Sequence, residues 1–185
     1  MKTKFFCMAA ALGFLLSASA TGISAQQLPS TCSNAMLHGN YGFTINGQII
    51  PPGQTAFVAQ QGVAMTNYDG NGKLVQVDYV LSNGIPAINP GTAVNGNGFR
   101  ENETGTYTVN PDCTGSLTIN MYTKFDTKAA TIQVKFVLAK SGREIREVVQ
   151  SITAFPPGGP EGGVNVPATI LADGRKLGPL YDDQN

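Results

Sequence analysis

The chain has 185 residues, 42% of them hydrophobic, and its 12 lysines and arginines balance 12 aspartates and glutamates. This length and composition are typical of one domain with a proper hydrophobic core. The balanced, scattered charge excludes the basic surface that nucleic acid or an anionic membrane would require.

The N-terminus matches a secretory signal peptide: Lys2 and Lys4 precede a short apolar run that ends in small residues. A membrane span needs about 20 apolar residues, so this run is too short. Cleavage is expected after Ala20 or Ala25, and Ala25 is preferred because glutamines follow it. We therefore expect residues 1–25 to be removed, no membrane span in the mature chain, and a protein secreted to the periplasm or the medium.

Two cysteines remain after processing, Cys32 and Cys113. In an exported protein such a pair predicts a structural disulfide, with a reactive thiol as the alternative. No metal site is expected, because His38 is the one histidine and no Cys-x-x-Cys occurs. No cofactor is expected either.

Alternation of apolar and polar residues, interrupted by Gly, Asn and Asp, predicts β-strands along the rest of the chain. We predict strands over residues 41–50, 56–68, 73–82, 104–110, 116–125, 131–139 and 143–153. In the last of these, Ser141 and Glu144 resemble a helix capping box, but the β-branched residues favour a strand.

The segment DGNG at residues 69–72 predicts a tight hairpin turn, because its residues accept positive φ angles. The spacing of Asn67, Asp69, Asn71 and Asp78 also partly mimics a calcium loop. A calcium-binding EF-hand needs flanking helices, however, and two predicted strands flank this segment. The hairpin is therefore the favoured interpretation.

Two segments lack periodicity. Residues 83–102 are rich in Gly and Pro and predict a long loop, and the Pro/Gly-rich stretch after Phe155 cannot hold a central strand. The expected organisation is a signal peptide over 1–25, a β-barrel domain over 26–155, and a C-terminal extension over 156–185 with at most one short strand.

Seven or eight short antiparallel strands joined mostly by tight turns predict an all-β fold. We favour a small closed barrel, with a β-sandwich as the alternative. An outer-membrane barrel is disfavoured, because both strand faces carry many Thr, Asn and Gln residues and no outward apolar band is evident.

Four motifs occur in a fixed order: HGNYGF at 38–43, DGNG at 69–72, GTYTVNPDCTG at 105–115 and GREIR at 142–146. In these motifs the chain resembles a family of small uncharacterised secreted bacterial proteins over roughly residues 32–153. The resemblance implies a barrel of the broad type seen in calycins and in allene oxide cyclase-like or dirigent-like proteins. It implies no activity, because such a fold hosts many functions.

The sequence contains no recognised catalytic motif and predicts neither catalytic residues nor an oligomeric state. A barrel enzyme of the cyclase or isomerase type would need only a few polar groups, and Arg143, Glu144, Arg146 and Glu147 are candidates. Ion pairing on a solvated strand face is the expected role of these four. An envelope or extracellular interaction or structural module is a further alternative.

We favour a barrel that binds a small, mostly apolar molecule at one mouth, beside the loop over residues 83–102. Six aromatic or aliphatic residues are the candidate wall of that site: Tyr41, Phe43, Val77, Tyr79, Phe136 and Leu138.

Overall fold

The computed structural model describes residues 31–178. The predicted signal peptide and both cleavage points lie outside these residues. The described part contains two 3-10 helices of three residues each, Asn34–Met36 and Lys140–Gly142. No helix within residues 31–178 is long and apolar enough to cross a membrane. The strands are β1 (His38–Ile49), β2 (Val58–Asp69), β3 (Lys73–Ser82), β4 (Ile85–Pro86), β5 (Arg100–Val109), β6 (Thr114–Tyr122), β7 (Lys128–Ala139), β8 (Glu144–Ala154), β9 (Val164–Val166) and β10 (Ala168–Lys176).

Eight of these strands close into an antiparallel barrel. The order around the ring is β1, β2, β3, β5, β6, β7, β8 and β10, and β10 closes it by pairing with both β8 and β1. Two short strands stand outside the ring, where β4 pairs with β3 and β9 pairs with β8. The predicted all-β barrel is confirmed, and its closure leaves no long strand edge unpaired.

The predicted hairpin over residues 69–72 joins β2 and β3. The Asp69 carboxylate accepts hydrogen bonds from the backbone N–H groups of Asn71 (2.7 Å) and Lys73 (2.9 Å), which fixes the turn. The segment after Gly142 is a strand along its whole length, so the helical alternative is wrong there. Its alternation of inward and outward side chains outweighs the capping-box resemblance.

The two ends of the barrel differ. At one end, which we call the closed end, tight turns connect the strands and residues 32–37 cover the opening, with Leu37 fully buried. The predicted disulfide is present there: Cys32 is bonded to Cys113, and their Cα atoms are 5.0 Å apart. At the opposite end, the loop end, longer loops over 50–57, 83–99 and 155–163 connect the strands.

The C-terminal strand corrects the predicted domain boundary. The barrel continues past Phe155 to Lys176, because β10 pairs with β1 from Tyr41 to Ile49. The Pro/Gly-rich residues 156–163 form only the loop that leads into it. A short strand was expected in the extension, but its role as the strand that closes the barrel was not.

Candidate functional site

Strand register shows which side chains point into the barrel. In the half next to the closed end, eight inward side chains are less than a tenth exposed and belong to one hydrophobic cluster. These are Tyr41, Phe43, Tyr68, Leu74, Tyr107, Leu117, Phe136 and Ile145. This half is therefore a packed core, as expected for a small barrel.

Three tyrosines form a layer at the closed-end side of this core, which we call the tyrosine layer. The ring of Tyr68 packs edge-to-face on Tyr41 and on Tyr107, with centroids 5.3 and 5.1 Å apart. The hydroxyl groups of Tyr41 and Tyr107 donate hydrogen bonds toward the closed end, Tyr41 to the Gly142 carbonyl and Tyr107 to the Leu37 carbonyl. The Tyr68 hydroxyl instead donates to Oε1 of Glu147, at 3.5 Å.

Toward the loop end, six inward-facing apolar residues are only partly buried although they face the barrel axis. Other inward residues of this half, among them Gln60, Val80 and Ile119, are buried. Since a closed and filled barrel would bury such side chains, this half contains an accessible space, which we call the lumen. Its apolar wall consists of Ile45, Met121, Ile132, Val149, Ile170 and Ala172.

Glu147 lies at the boundary between the tyrosine layer and the lumen. On β8 it is paired with Phe136 of β7 and Ala172 of β10, both of which face inward. Its side chain keeps some accessible surface, whereas Tyr68 and Phe136 next to it are buried. Burial among apolar groups raises the pKa of Glu147 to about 8, so at neutral pH this carboxyl is mostly protonated.

A second set of polar side chains, which we call the polar cluster, lines β2, β3 and β5. Arg100 forms a bidentate ion pair with Asp78, with its Nε 2.5 Å from Oδ1. Thr66 donates to Oε1 of Gln76 (2.7 Å), and Nε2 of Gln76 donates to Oε2 of Glu103 (2.9 Å). Except for the partly exposed Gln76 and Arg100, these side chains are buried.

Within the polar cluster, Glu103 is 2% exposed. Its Oε1 is the only buried side-chain oxygen or nitrogen among residues 31–178 that makes no hydrogen bond. Burial, followed by the negative charge of Asp78, raises the pKa of Glu103 to about 8. Arg100 lies 3.9 Å from that oxygen, but its charge is already balanced by Asp78.

Comparison of the chain with protein-family models, with curated proteins and with solved structures gave no match.

The structure brings four of the six predicted wall residues together. Tyr41, Phe43 and Phe136 lie in the packed core and Leu138 packs against it, all of them on the closed-end side of the lumen. Val77 and Tyr79 are on the outer face of β3, where they pair with Met65 and Val63 of β2. A ligand inside the barrel would not touch these two.

The outer face of β2, β3 and β5 carries its own apolar surface. Val63, Met65 and Val75 are about half exposed, and a shallow depression of about 260 Å³ lies between Met65, Val75 and their neighbours. A more polar depression of about 500 Å³ lies near the loop end, between Thr92, Glu101 and Lys124. Neither depression opens onto the inward-facing apolar residues that define the lumen.

The polar cluster and the inward orientation of Glu147 were not predicted from the sequence. Of the four charged residues considered, Glu144 and Arg146 do form ion pairs on the outer face, Glu144 with Lys140 and Arg146 with Asp173. Glu147 points inward instead. The available signal was the alternation itself, since Glu147 shares its face with Ile145 and Val149.

The two carboxylates that the calcium-loop interpretation would require have other partners in the structure. Asp69 uses its carboxylate on backbone N–H groups of the turn, and Asp78 is paired with Arg100 inside the barrel. Within residues 31–178 no group of three or more His, Cys, Asp or Glu side chains is arranged to hold a metal ion.

Proposed function

We propose that this protein binds a small, mostly apolar molecule in the lumen at the loop end of its barrel. One observation carries the proposal: six inward-facing apolar residues near the loop end stay partly exposed, whereas the inward aromatic residues near the closed end are buried. A concave apolar space with a few polar groups is the usual form of a small-molecule site.

The surrounding structure supports this interpretation. The disulfide and the tyrosine layer hold the closed end, so the lumen has a rigid floor. The loop over residues 83–99 lies at the mouth and is ordered by bridges from Thr92 to Thr123 and from Val94 to Arg100. A rigid floor and an ordered rim limit the ordering entropy that binding costs.

A thermal-shift screen with fatty acids, terpenoids and aromatic compounds tests the proposal. A ligand present at about 100 times its dissociation constant should add about 2.7 kcal/mol of stability. The variant Ala172→Leu narrows the lumen and should weaken the shift. Leu171→Phe, the neighbouring change on the outer face, is the matched control and should leave the shift unchanged. No shift with any of the three classes would overturn the proposal.

A barrel enzyme of the cyclase or isomerase type is the second candidate. It is favoured by Glu147, because a carboxyl group with a pKa of about 8 can donate and accept a proton near neutral pH. A compound that binds should then be converted, whereas a carrier returns it unchanged. Chromatography of each bound compound after incubation separates the two functions, and loss of turnover in Glu147→Gln would support the enzyme.

We also propose that the protein is exported and processed after residue 25. The disulfide and the predicted signal peptide support this, because such bonds persist in oxidising compartments. The mass of the protein recovered from periplasm or medium distinguishes a mature N-terminus at Gln26 from one at Thr21, and an unprocessed mass would contradict export. We further propose that the barrel is of the broad type seen in calycins and in allene oxide cyclase-like or dirigent-like proteins.

A further inference from the structure

We propose that the molecule bound in the lumen is an apolar amine whose ammonium group pairs with the Glu147 carboxylate. This inference rests on the proposed function, since it names the chemical class of the ligand for the same site.

Carboxyl groups outnumber cationic groups inside the barrel. Among residues 31–178, the charged side chains that face the interior and are not solvent-exposed comprise three carboxyl groups, those of Asp78, Glu103 and Glu147, and one guanidinium, that of Arg100. Arg100 is held by both oxygens of Asp78 and lies 3.9 Å from Glu103. Glu147 therefore has no cation among these groups, and a buried carboxylate is costly unless it is paired.

Glu103 and Glu147 both have hydrogen-bonding capacity that the described residues do not use. Oε1 of Glu103 is buried without a partner. Glu147 makes one side-chain hydrogen bond, with Tyr68, and no ion pair among the described residues. A ligand that carries N–H donors and a positive charge would supply what an accessible group of this kind lacks.

Accessibility assigns the contact to Glu147. Glu103 is 2% exposed, whereas Glu147 is partly exposed and pairs with Ala172 of the lumen wall. Around it stand the apolar side chains of Ile45, Val149 and Ala172, which would hold the hydrocarbon part of the ligand. The site therefore combines one acidic anchor with an apolar wall.

Binding of an amine should depend on pH. Without ligand, Glu147 holds its proton up to a pH of about 8, so pairing with an ammonium group releases that proton. Affinity should rise by up to about tenfold per pH unit as the pH increases toward 8. The titratable and charged groups that face the interior are Tyr41, Tyr68, Asp78, Arg100, Glu103, Tyr107 and Glu147.

Calorimetry with matched compounds at pH 6.5, 7.5 and 8.5 tests the inference. Bornane, camphor and bornylamine share one skeleton, and the 1-methyl, 1-acetyl and 1-aminomethyl derivatives of naphthalene share another. In each set the amine should bind at least tenfold more tightly than the hydrocarbon and the ketone at pH 8.5. Its affinity should increase from pH 6.5 to 8.5, while that of the hydrocarbon should not.

Two variants locate the contact. Glu147→Gln keeps the shape but removes the charge, so it should abolish the preference for the amine over the hydrocarbon. Glu144→Gln, on the outer face of the same strand, is the matched control and should preserve the preference. If Glu147→Gln does not fold, the pH dependence of amine affinity in the wild-type protein tests the inference.

The outcomes separate this inference from the proposed function. Hydrocarbon or ketone binding equal to or tighter than amine binding, or an amine affinity that does not rise with pH, overturns the inference and leaves the lumen as a binding site. Failure of all six compounds to bind counts against the proposed function, and the inference falls with it.

Discussion

Alternation along β8 decides the environment of each of its charged side chains. Glu144 and Arg146 point outward and form ion pairs with Lys140 and Asp173. Glu147 points inward, where burial raises its pKa to about 8. The same residue type at positions three apart thus has opposite properties, because one side chain faces water and the other faces the barrel interior.

We predict that Glu147→Gln changes the pH dependence of stability. In the wild-type protein the folded state keeps this proton up to a pH of about 8, whereas the unfolded chain releases it near pH 4.5. The folded state therefore binds more protons in this window, and stability falls as the pH rises. The stability of the variant relative to wild type should increase from pH 5 to pH 8, by at most about 1.4 kcal/mol per pH unit.

Urea unfolding at intervals between pH 5 and pH 8 measures this difference. Glu101→Gln, an exposed carboxyl on β5, serves as the control and should run parallel to wild type. If the free energies of unfolding of Glu147→Gln and wild type change in parallel with pH, Glu147 is ionised and well solvated in the folded protein.

The last strand shows how a glycine permits closure of the barrel. Gly174 points inward between its cross-strand partners Phe43 and Ile145, and a Cβ at this position would collide with both side chains. Gly62 on β2 also has no room for a Cβ, because the backbone of β3 passes close to it. These glycines mark close packing inside a regular ladder, as glycines in strands often do.

Removal of the last strand should prevent folding. A chain that ends at residue 155 lacks β9 and β10 and leaves β1 and β8 with unpaired edges. Unpaired edges of this length promote aggregation. We expect this truncated protein to aggregate or to lack a cooperative melting transition, whereas a chain that ends at residue 178 should melt like the full-length protein.

Circular dichroism and size-exclusion chromatography report both properties. A cooperative transition and a monodisperse elution profile for the chain that ends at 155 would show that the barrel can close without β10.

The barrel is cross-linked by a disulfide at its closed end, and the proposed lumen lies at its loop end. The Cys32–Cys113 disulfide ties the segment that covers the closed end to the turn between β5 and β6. The aromatic residues of the core lie next to it, while the lumen lies next to the long loops. The disulfide and the proposed binding site therefore lie in opposite halves of the same barrel.

The disulfide should contribute to stability mainly by restricting the unfolded chain. It spans a sequence separation of 81 residues, and closing a loop of this length should stabilise the fold by about 4 kcal/mol. The double variant Cys32→Ser/Cys113→Ser should lose most of this free energy of unfolding in urea. It should retain ligand binding in the lumen at temperatures where it is folded.

Comparison of the oxidised and the reduced wild-type protein is the control for the two substitutions. A loss of less than about 1 kcal/mol in both comparisons would show that the unfolded chain is already restricted without the bond.

The sequence by itself determined the strands, the hairpin over residues 69–72 and the pairing of the two cysteines. Period-two alternation, turn residues and the count of cysteines are local or compositional signals, so they do not depend on distant parts of the chain. They gave the positions of seven barrel strands and the class of the fold.

Only the tertiary structure decided which strand closes the ring, which strand face is internal and where the interior stays open. β10 is held by pairing with β1, more than 100 residues earlier in the chain, and no local signal encodes that contact. Val77 and Tyr79 were assigned to the interior because their face of β3 is uniformly apolar, yet the opposite face, with Asp78, points inward. Arg100, which is distant in sequence, makes burial of Asp78 possible, so the polarity of a single strand was a misleading guide to its inner face.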